Sequence, residues 1–263
     1  MHHNTHQHPR EKLTNRRPIT LLNTDYKSLA KTMAMRLTTV ITKLISNDQC
    51  GFMRGRNIAT ILRTTDDIIN YFNNENLPGI LVGIDFAKAF DTISKTLIRE
   101  SLKIYGFGPE FQRWISTLLA NTESAINHYG WISQPFQVER GIRHGCPLYP
   151  LLFVQGVELQ TIKIRASDIK GIQIKNNPVR DDLREIVTKI QQFADDTTLY
   201  LRHKEDLDIA MIIFQRFSNI SGLKMNKNKT EAMWLGRDKN NAHQYHSLKW
   251  VLGKTNQNSR HPL

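Results

Sequence analysis

Cysteine is scarce in this chain. Two in 263 residues, Cys50 and Cys146, cannot make a disulfide framework and point to a reducing compartment. No stretch approaches the roughly 18 consecutive apolar residues of a membrane span, and the N-terminus lacks the apolar core of a secretory signal. Acidic residues are also in short supply, 24 against 36 Lys and Arg, which leaves a net charge of +12. That deficit disfavours cationic partners and favours a polyanion, either nucleic acid or an anionic membrane surface. A merely solvated basic surface would have the same composition. What is present is ordinary for a globular protein: 40% hydrophobic and 23% charged residues, enough for one large domain or two small ones with a real core.

Periodicity divides the chain. Residues 1–15 hold four histidines, His2, His3, His6 and His8, with no cysteine or carboxylate among the first ten residues to complete a metal site, and read as a disordered leader. Residues 25–45 place Tyr26, Leu29, Met33, Leu37 and Ile41 on one helical face, with Asp25 as a start signal. A second stripe runs from Ile58 to Phe72. "ILVGIDF", Ile80 to Phe86, has strand length and reads as buried on both faces. A helix is expected from Asp91 to about Tyr105, another around Phe111 to Leu119, then a hairpin from "SAINHYG" and "ISQPFQVE". A helix should follow Pro150, and "QQFADDTTLYL" reads as strand, tight turn, strand. A helix from Leu207 stops at Gly222, "TEAMWLG" is a strand, and the chain beyond Gly236 turns polar. Helices and strands mix without regular alternation, so the fold class is α+β.

Three acids stand out by context. Asp85 ends a strand, and Asp195 and Asp196 occupy a hairpin tip between apolar arms. Each alone has a bland reading, as a helix cap or a turn residue. If the two strands are neighbours, the three carboxylates converge and repel unless a cation holds them. Mg²⁺ suits such a site, because it takes oxygen ligands and is usually bound by one or two carboxylates plus substrate phosphates.

The ordered series "RRPITLLNTDYKSLAKTMAMRL", "ISNDQCGFMRGRNIATILRTTDDI", "GIDFAKAFDTI", "GIRHGCPLYPLLF", "FADDTTLY" and "SGLKMNKNKTEAMWLG" resembles the reverse transcriptase domain of LINE-type (non-long-terminal-repeat) retrotransposons. The "FADD" and "GCPL" motifs are also similar to those of group II intron maturases, while "RPITLLNTDYK" and "DFAKAFD" point to the LINE type. A catalytically silent RNA-binding remnant is the alternative reading. The resemblance implies a right-hand polymerase fold over residues 16–236. Fingers would take mainly 16–79 with 97–135, and palm mainly 80–96 and 136–236. Residues 237–263 would be a polar loop and the truncated start of the next element, short of a helical thumb.

The resemblance also implies RNA-templated DNA synthesis with two Mg²⁺ ions, Mn²⁺ being an alternative. An RNA template, a DNA primer and deoxynucleoside triphosphates would be the partners. The chain would be intracellular, in nucleus or cytoplasm, within a retrotransposon ribonucleoprotein. Asp85, Asp195 and Asp196 would hold the metals, Asp195 more firmly than Asp196. Phe86 would supply backbone beside them, and Phe90 would stack under the incoming sugar and exclude a 2′-hydroxyl. Arg17 would grip the triphosphate, with Arg16 as a substitute. Gly141 and Gly145 would let backbone approach the nucleotide. Two departures from the family, His144 for glutamine and Tyr149 for serine, lie beside that expected site. Arg54, Arg56 and Arg63 would face template phosphates, ordinary surface charge being the competing reading. Lys229 would protonate the leaving pyrophosphate, with Lys224 and Lys227 as competitors.

Overall fold

The computed structural model describes residues 20–143, 145–174, 187–241 and 245–251. Seven helices and eleven strands follow one another within these residues. Helix α1 (Thr24–Leu44) starts after Asn23, one residue before the expected Asp25, which instead lies in its first turn. Helix α2 (Ile58–Asn74) is capped by the Asn57 side chain, which accepts from the Ala59 amide. Strand β1 (Gly79–Ile84) leads into the short helix α3 (Ala89–Thr92) and then α4 (Lys95–Ile104), separated by a break at Ile93 and Ser94. The single helix expected there is therefore two, because the Ser94 side chain caps the second. Helix α5 (Pro109–Leu119) precedes two short ladders, β2 (Glu123–Ser124) with β5 (Phe136–Gln137) and β3 (Asn127–His128) with β4 (Trp131–Ile132). Helix α6 (Tyr149–Arg165) is buried on nearly all sides, with Gln155, Glu158, Gln160 and Thr161 buried beside its apolar residues. Strands β6 (Ile172–Gln173) and β7 (Val187–Thr188) pair with each other. Then come β8 (Ile190–Phe193), β9 (Asp196–Leu201), α7 (Lys204–Ser221), β10 (Glu231–Leu235) and β11 (Lys249–Trp250).

The main sheet has the order β11-β10-β1-β9-β8, with β1 central and antiparallel to both neighbours. Its two faces differ. Ile80, Val82 and Ile84 of β1 and Leu199 and Leu201 of β9 enter the principal core with residues of α4, α6 and α7. On the opposite face α2 covers one end only, where Ile68, Phe72 and Tyr200 pack together, and the Tyr200 hydroxyl lies 2.6 Å from that of Thr65. The other end of that face stays open. Strand β1 is therefore not buried on both faces as its apolar run suggested: Gly83 is exposed. The run reads as continuous because the residue on the open face is a glycine rather than a polar side chain.

Both cysteines are buried free thiols. Among the described residues no helix is long and apolar enough to cross a membrane.

Burial also creates a pH dependence. Glu158 of α6 is 2% exposed, and Oε1 accepts from the Ser46 amide at 3.1 Å. Desolvation outweighs that bond and pushes the carboxyl from 4.5 up to about 7. Below 4.5 both states hold the proton; between 4.5 and about 7 only the folded state does. Folding therefore binds protons in this window, and stability falls as pH rises through it, levelling off above. The loss is on the order of 3 kcal/mol. Burial raises Asp48 in the same direction. Urea titrations at pH 5 and pH 8 are expected to show the decline in the native protein. In Glu158→Gln most of it should vanish, leaving the part owed to Asp48.

Candidate active site

The open end of the sheet face holds the acids. In the β1–β9 ladder Gly83 faces Thr198 and Ile84 faces Thr197; Asp85 follows the end of β1 and Asp196 opens β9, so the two acids lie at the same end of neighbouring strands, and one more step of that register would set them opposite each other. Directly opposed antiparallel residues project to the same side with Cβ atoms about 4.5–5.5 Å apart. By alternation that side is the one shared by Leu81 and Gly83, the open face. Asp85 is half-buried and Asp196 exposed. The Asp85 amide is held by the Thr230 hydroxyl at 3.3 Å and its carbonyl accepts from the Asn226 amide at 2.8 Å. Phe86 turns to the other side, is 6% exposed, and stacks on Phe214 with ring centroids 6.0 Å apart.

The hairpin joining β8 to β9 pairs Phe193 with Asp196, so Ala194 and Asp195 form a two-residue turn. Ala194 has φ +58°, a left-handed conformation that costs a non-glycine residue about 1–2 kcal/mol. The sequence reading put both acids at the tip; the ladder instead makes Asp196 the first strand residue and leaves Asp195 in the turn. Among the described residues no group of three or more His, Cys, Asp or Glu side chains is arranged to hold a metal ion. The donor set is nonetheless all carboxylate oxygen, with two acids at the same end of adjacent strands. That fits a hard ion completed by substrate phosphates and water, and does not fit a preformed protein cage.

The turn is held from a distance by Gln49, in a segment from which the sequence reading singled out only Arg54 and Arg56. Gln49 is 0% exposed. Its Oε1 accepts from the amides of Ala194 at 2.8 Å and Gly51 at 2.7 Å, and its Nε2 donates to the Ala194 carbonyl at 3.1 Å. The backbone of 48–50 extends the sheet beside β8: Gln192 donates to Asp48 at 2.7 Å and accepts from Cys50 at 2.8 Å. Gly51 lies so close that an added Cβ would sit 2.1 Å from the Ala194 nitrogen. The sequence signal was a glycine beside an uncharged amide in "NDQCGF", which periodicity cannot interpret.

The remaining candidates divide. Phe90 of α3 packs against Phe153 with centroids 4.3 Å apart and meets Phe52 edge-on at 6.1 Å, so it links the loop after Gln49 to α6. Gly145 has φ +81° and open space around its missing Cβ, with the Thr20 carbonyl at 3.6 Å. At Gly141 an added Cβ would fall 2.4 Å from the Asp91 carbonyl oxygen, so the close approach seen there is to protein backbone. Arg54 and Arg63 are exposed. Arg56 is turned inward, where its two terminal nitrogens donate to the carbonyls of Thr42, Ile45, Ser46 and Gln49. Four of its five donors are thereby committed to closing the end of α1, and the template-facing expectation for Arg56 gives way to a structural one.

Lys229 is exposed in a turn, whereas its competitors Lys224 and Lys227 line, with Lys88 and Arg140, a cavity of about 880 Å³ beside α7. Arg16, Arg17 and His144 lie outside the described residues. Tyr149 is 1% exposed in the core, its hydroxyl 2.6 Å from that of Tyr26.

A family model described as reverse transcriptase (RNA-dependent DNA polymerase) matches residues 8–253. The uncharacterized 149 kDa protein of transposon TX1 from Xenopus laevis is 28% identical over 224 residues, which is 85% of this chain and 16% of that protein. The retrovirus-related Pol polyprotein of the type-2 retrotransposable element R2DM from Drosophila melanogaster is 26% identical over 213 residues, 81% of this chain and 19% of that one. The chain thus spans less than a fifth of the length of these relatives. Among solved structures, apo telomerase from Candida tropicalis matches with a TM-score of 0.54 at 11% identity, covering 81% of this chain and 37% of that one. The same telomerase with a fragment of telomeric RNA gives 0.52 at 10% identity, over 79% and 33%. At such identity the likeness is one of fold, the α+β arrangement of palm and fingers.

Proposed function

The chain belongs to the reverse transcriptase family, as a domain of the LINE type, and on that premise we propose that it copies RNA into DNA by nucleotidyl transfer to a primer 3′-hydroxyl. The 3′-oxygen loses its proton and attacks the α-phosphorus of a deoxynucleoside triphosphate, and the bond to pyrophosphate breaks. The observation that supports this reading is that Asp85 follows the end of β1 where the neighbouring β9 begins with Asp196, next to Asp195, at the uncovered end of a central sheet face.

Asp85, Asp195 and Asp196 would bind two Mg²⁺ ions, or Mn²⁺ in their place. When bound, the cations neutralise charge on the entering and leaving oxygens. Phe90, fixed between Phe52 and Phe153, has the rigidity to exclude a 2′-hydroxyl by contact. Arg17, His144, Gly145 and the Phe86 backbone would complete the nucleotide site. Arg54 and Arg63 remain available for template phosphates. For the proton to pyrophosphate, Lys229 would serve, with Lys224 and Lys227 as competitors. Residues 16–79 with 97–135 would act as fingers, and 80–96 with 136–236 as palm.

A silent RNA-binding remnant is the second reading, favoured by the lack of a three-ligand cluster among the described residues. Primer extension on an RNA template with Mg²⁺ separates the two. The wild-type chain should add deoxynucleotides, and Asp195→Ala with Asp196→Ala should abolish addition while salt-dependent RNA binding persists. Indistinguishable extension by the two proteins would overturn the polymerase reading.

A further inference from the structure

We propose that Gln49 is a positioning residue for the metal site, acting through Ala194 on the acids at 195 and 196; the inference rests on the metal-site reading above. The left-handed backbone at Ala194 is not a conformation alanine adopts unaided, so something must over-determine it. A glycine there would have removed the strain locally. This chain instead brings in an amide from 145 positions away.

The Gln49 side chain binds both polar backbone groups of Ala194, and its third bond, from the Gly51 amide, closes its own loop. Two N–H groups converging on Oε1 fix which end of the amide is oxygen. The side chain has no solvent to exchange with, being fully buried, so the turn cannot rotate without leaving buried polar groups unpaired. Behind it, buried Gln192 donates to Thr197 at 3.0 Å and accepts from Thr161 at 2.6 Å. That second amide holds the strand that follows the turn to α6. The acids thus stand on a turn braced from both sides. Phe52, three residues after Gln49, reaches Phe90, so one short segment ties the acids and the aromatic neighbour of the site together.

Outer groups that orient metal ligands typically govern affinity by ten- to a hundredfold. Gln49→Ala should therefore weaken Mn²⁺ binding, followed by electron paramagnetic resonance with the metal alone, by about tenfold or more. Amide exchange across 193–197 should accelerate in the same variant. Gln49→Met keeps the volume and loses all three bonds, and serves where the alanine variant folds poorly. Leu207→Ala, a core change on α7, supplies a protein of reduced stability with the clamp intact, and its Mn²⁺ affinity should match wild type. Unchanged exchange at the turn, wild-type Mn²⁺ affinity in both Gln49 variants, or an equal loss in Leu207→Ala would each overturn the assignment. Wild-type protein that binds Mn²⁺ no better than Asp195→Ala with Asp196→Ala overturns the metal-site reading and the positioning role together. Failure of the clamp alone differs, because it leaves wild-type binding intact.

Discussion

Replacing Asp85 by asparagine should reduce single-nucleotide extension of a primer on an RNA template by roughly three orders of magnitude, with the fold undisturbed. The substitution keeps shape and volume and removes one negative charge. At the open end of the sheet, that charge has a specific task on the metal-site reading, since Asp85 and Asp196 lie at the same end of neighbouring strands. Like charges directly opposed in an antiparallel ladder destabilise it. Asp85→Asn should therefore leave the thermal midpoint unchanged or slightly raised while activity disappears. Most damaging substitutions lower both. The backbone bonds to Thr230 and Asn226 do not involve the side chain, so they survive the change. Near-wild-type extension by this variant would remove the carboxylate pair from the reaction, whatever the family.

Tyr149→Ser, which puts in the residue that the family resemblance implies, is expected to destabilise the protein by about 3–5 kcal/mol, the range for truncating a large buried aromatic. Tyr149 opens α6 and is among the largest fully buried side chains. Its ring fills space between α1, α5 and α6, and its hydroxyl lies 3.3 Å from the Leu118 carbonyl as well as 2.6 Å from the Tyr26 hydroxyl. Burial pushes the phenol far above its ordinary value, so it stays neutral. Tyr149→Phe should cost only about 1 kcal/mol, one hydrogen bond with its partner still able to use Leu118. Denaturant titration of the two variants distinguishes packing from hydrogen bonding. Extension rates below the unfolding transition should barely respond, because the side chain is buried against Tyr26 and Leu118. A rate collapse in Tyr149→Phe at full stability would place the tyrosine in the nucleotide site after all.

How much of this was legible beforehand depends on the distance over which each feature is decided. The faces of α1 and α2, the strand before Asp85, the hairpin around Asp195 and the stop at Gly222 all follow from residues within a few positions of one another. A 3.6-residue or two-residue period, a turn or a glycine in the left-handed region is a local property, and the sequence displays it directly. Where that reading slipped, a neighbour was at fault: Ser94 capped a second helix, and Gly83 imitated a buried position on a face that is open.

The sequence by itself determined the elements and the three acids worth watching. Tertiary structure alone decided that Asp85 and Asp196 lie at the same end of neighbouring strands, that Gln49 braces Ala194, that Arg56 closes a helix end and that Tyr149 faces the core. Gln49 and Ala194 are 145 residues apart, and Tyr149 and Tyr26 are 123 apart. Across such separations a polar side chain carries no local mark of its partner. Strand register and the need to satisfy buried backbone groups choose it, and both exist only once the chain has folded.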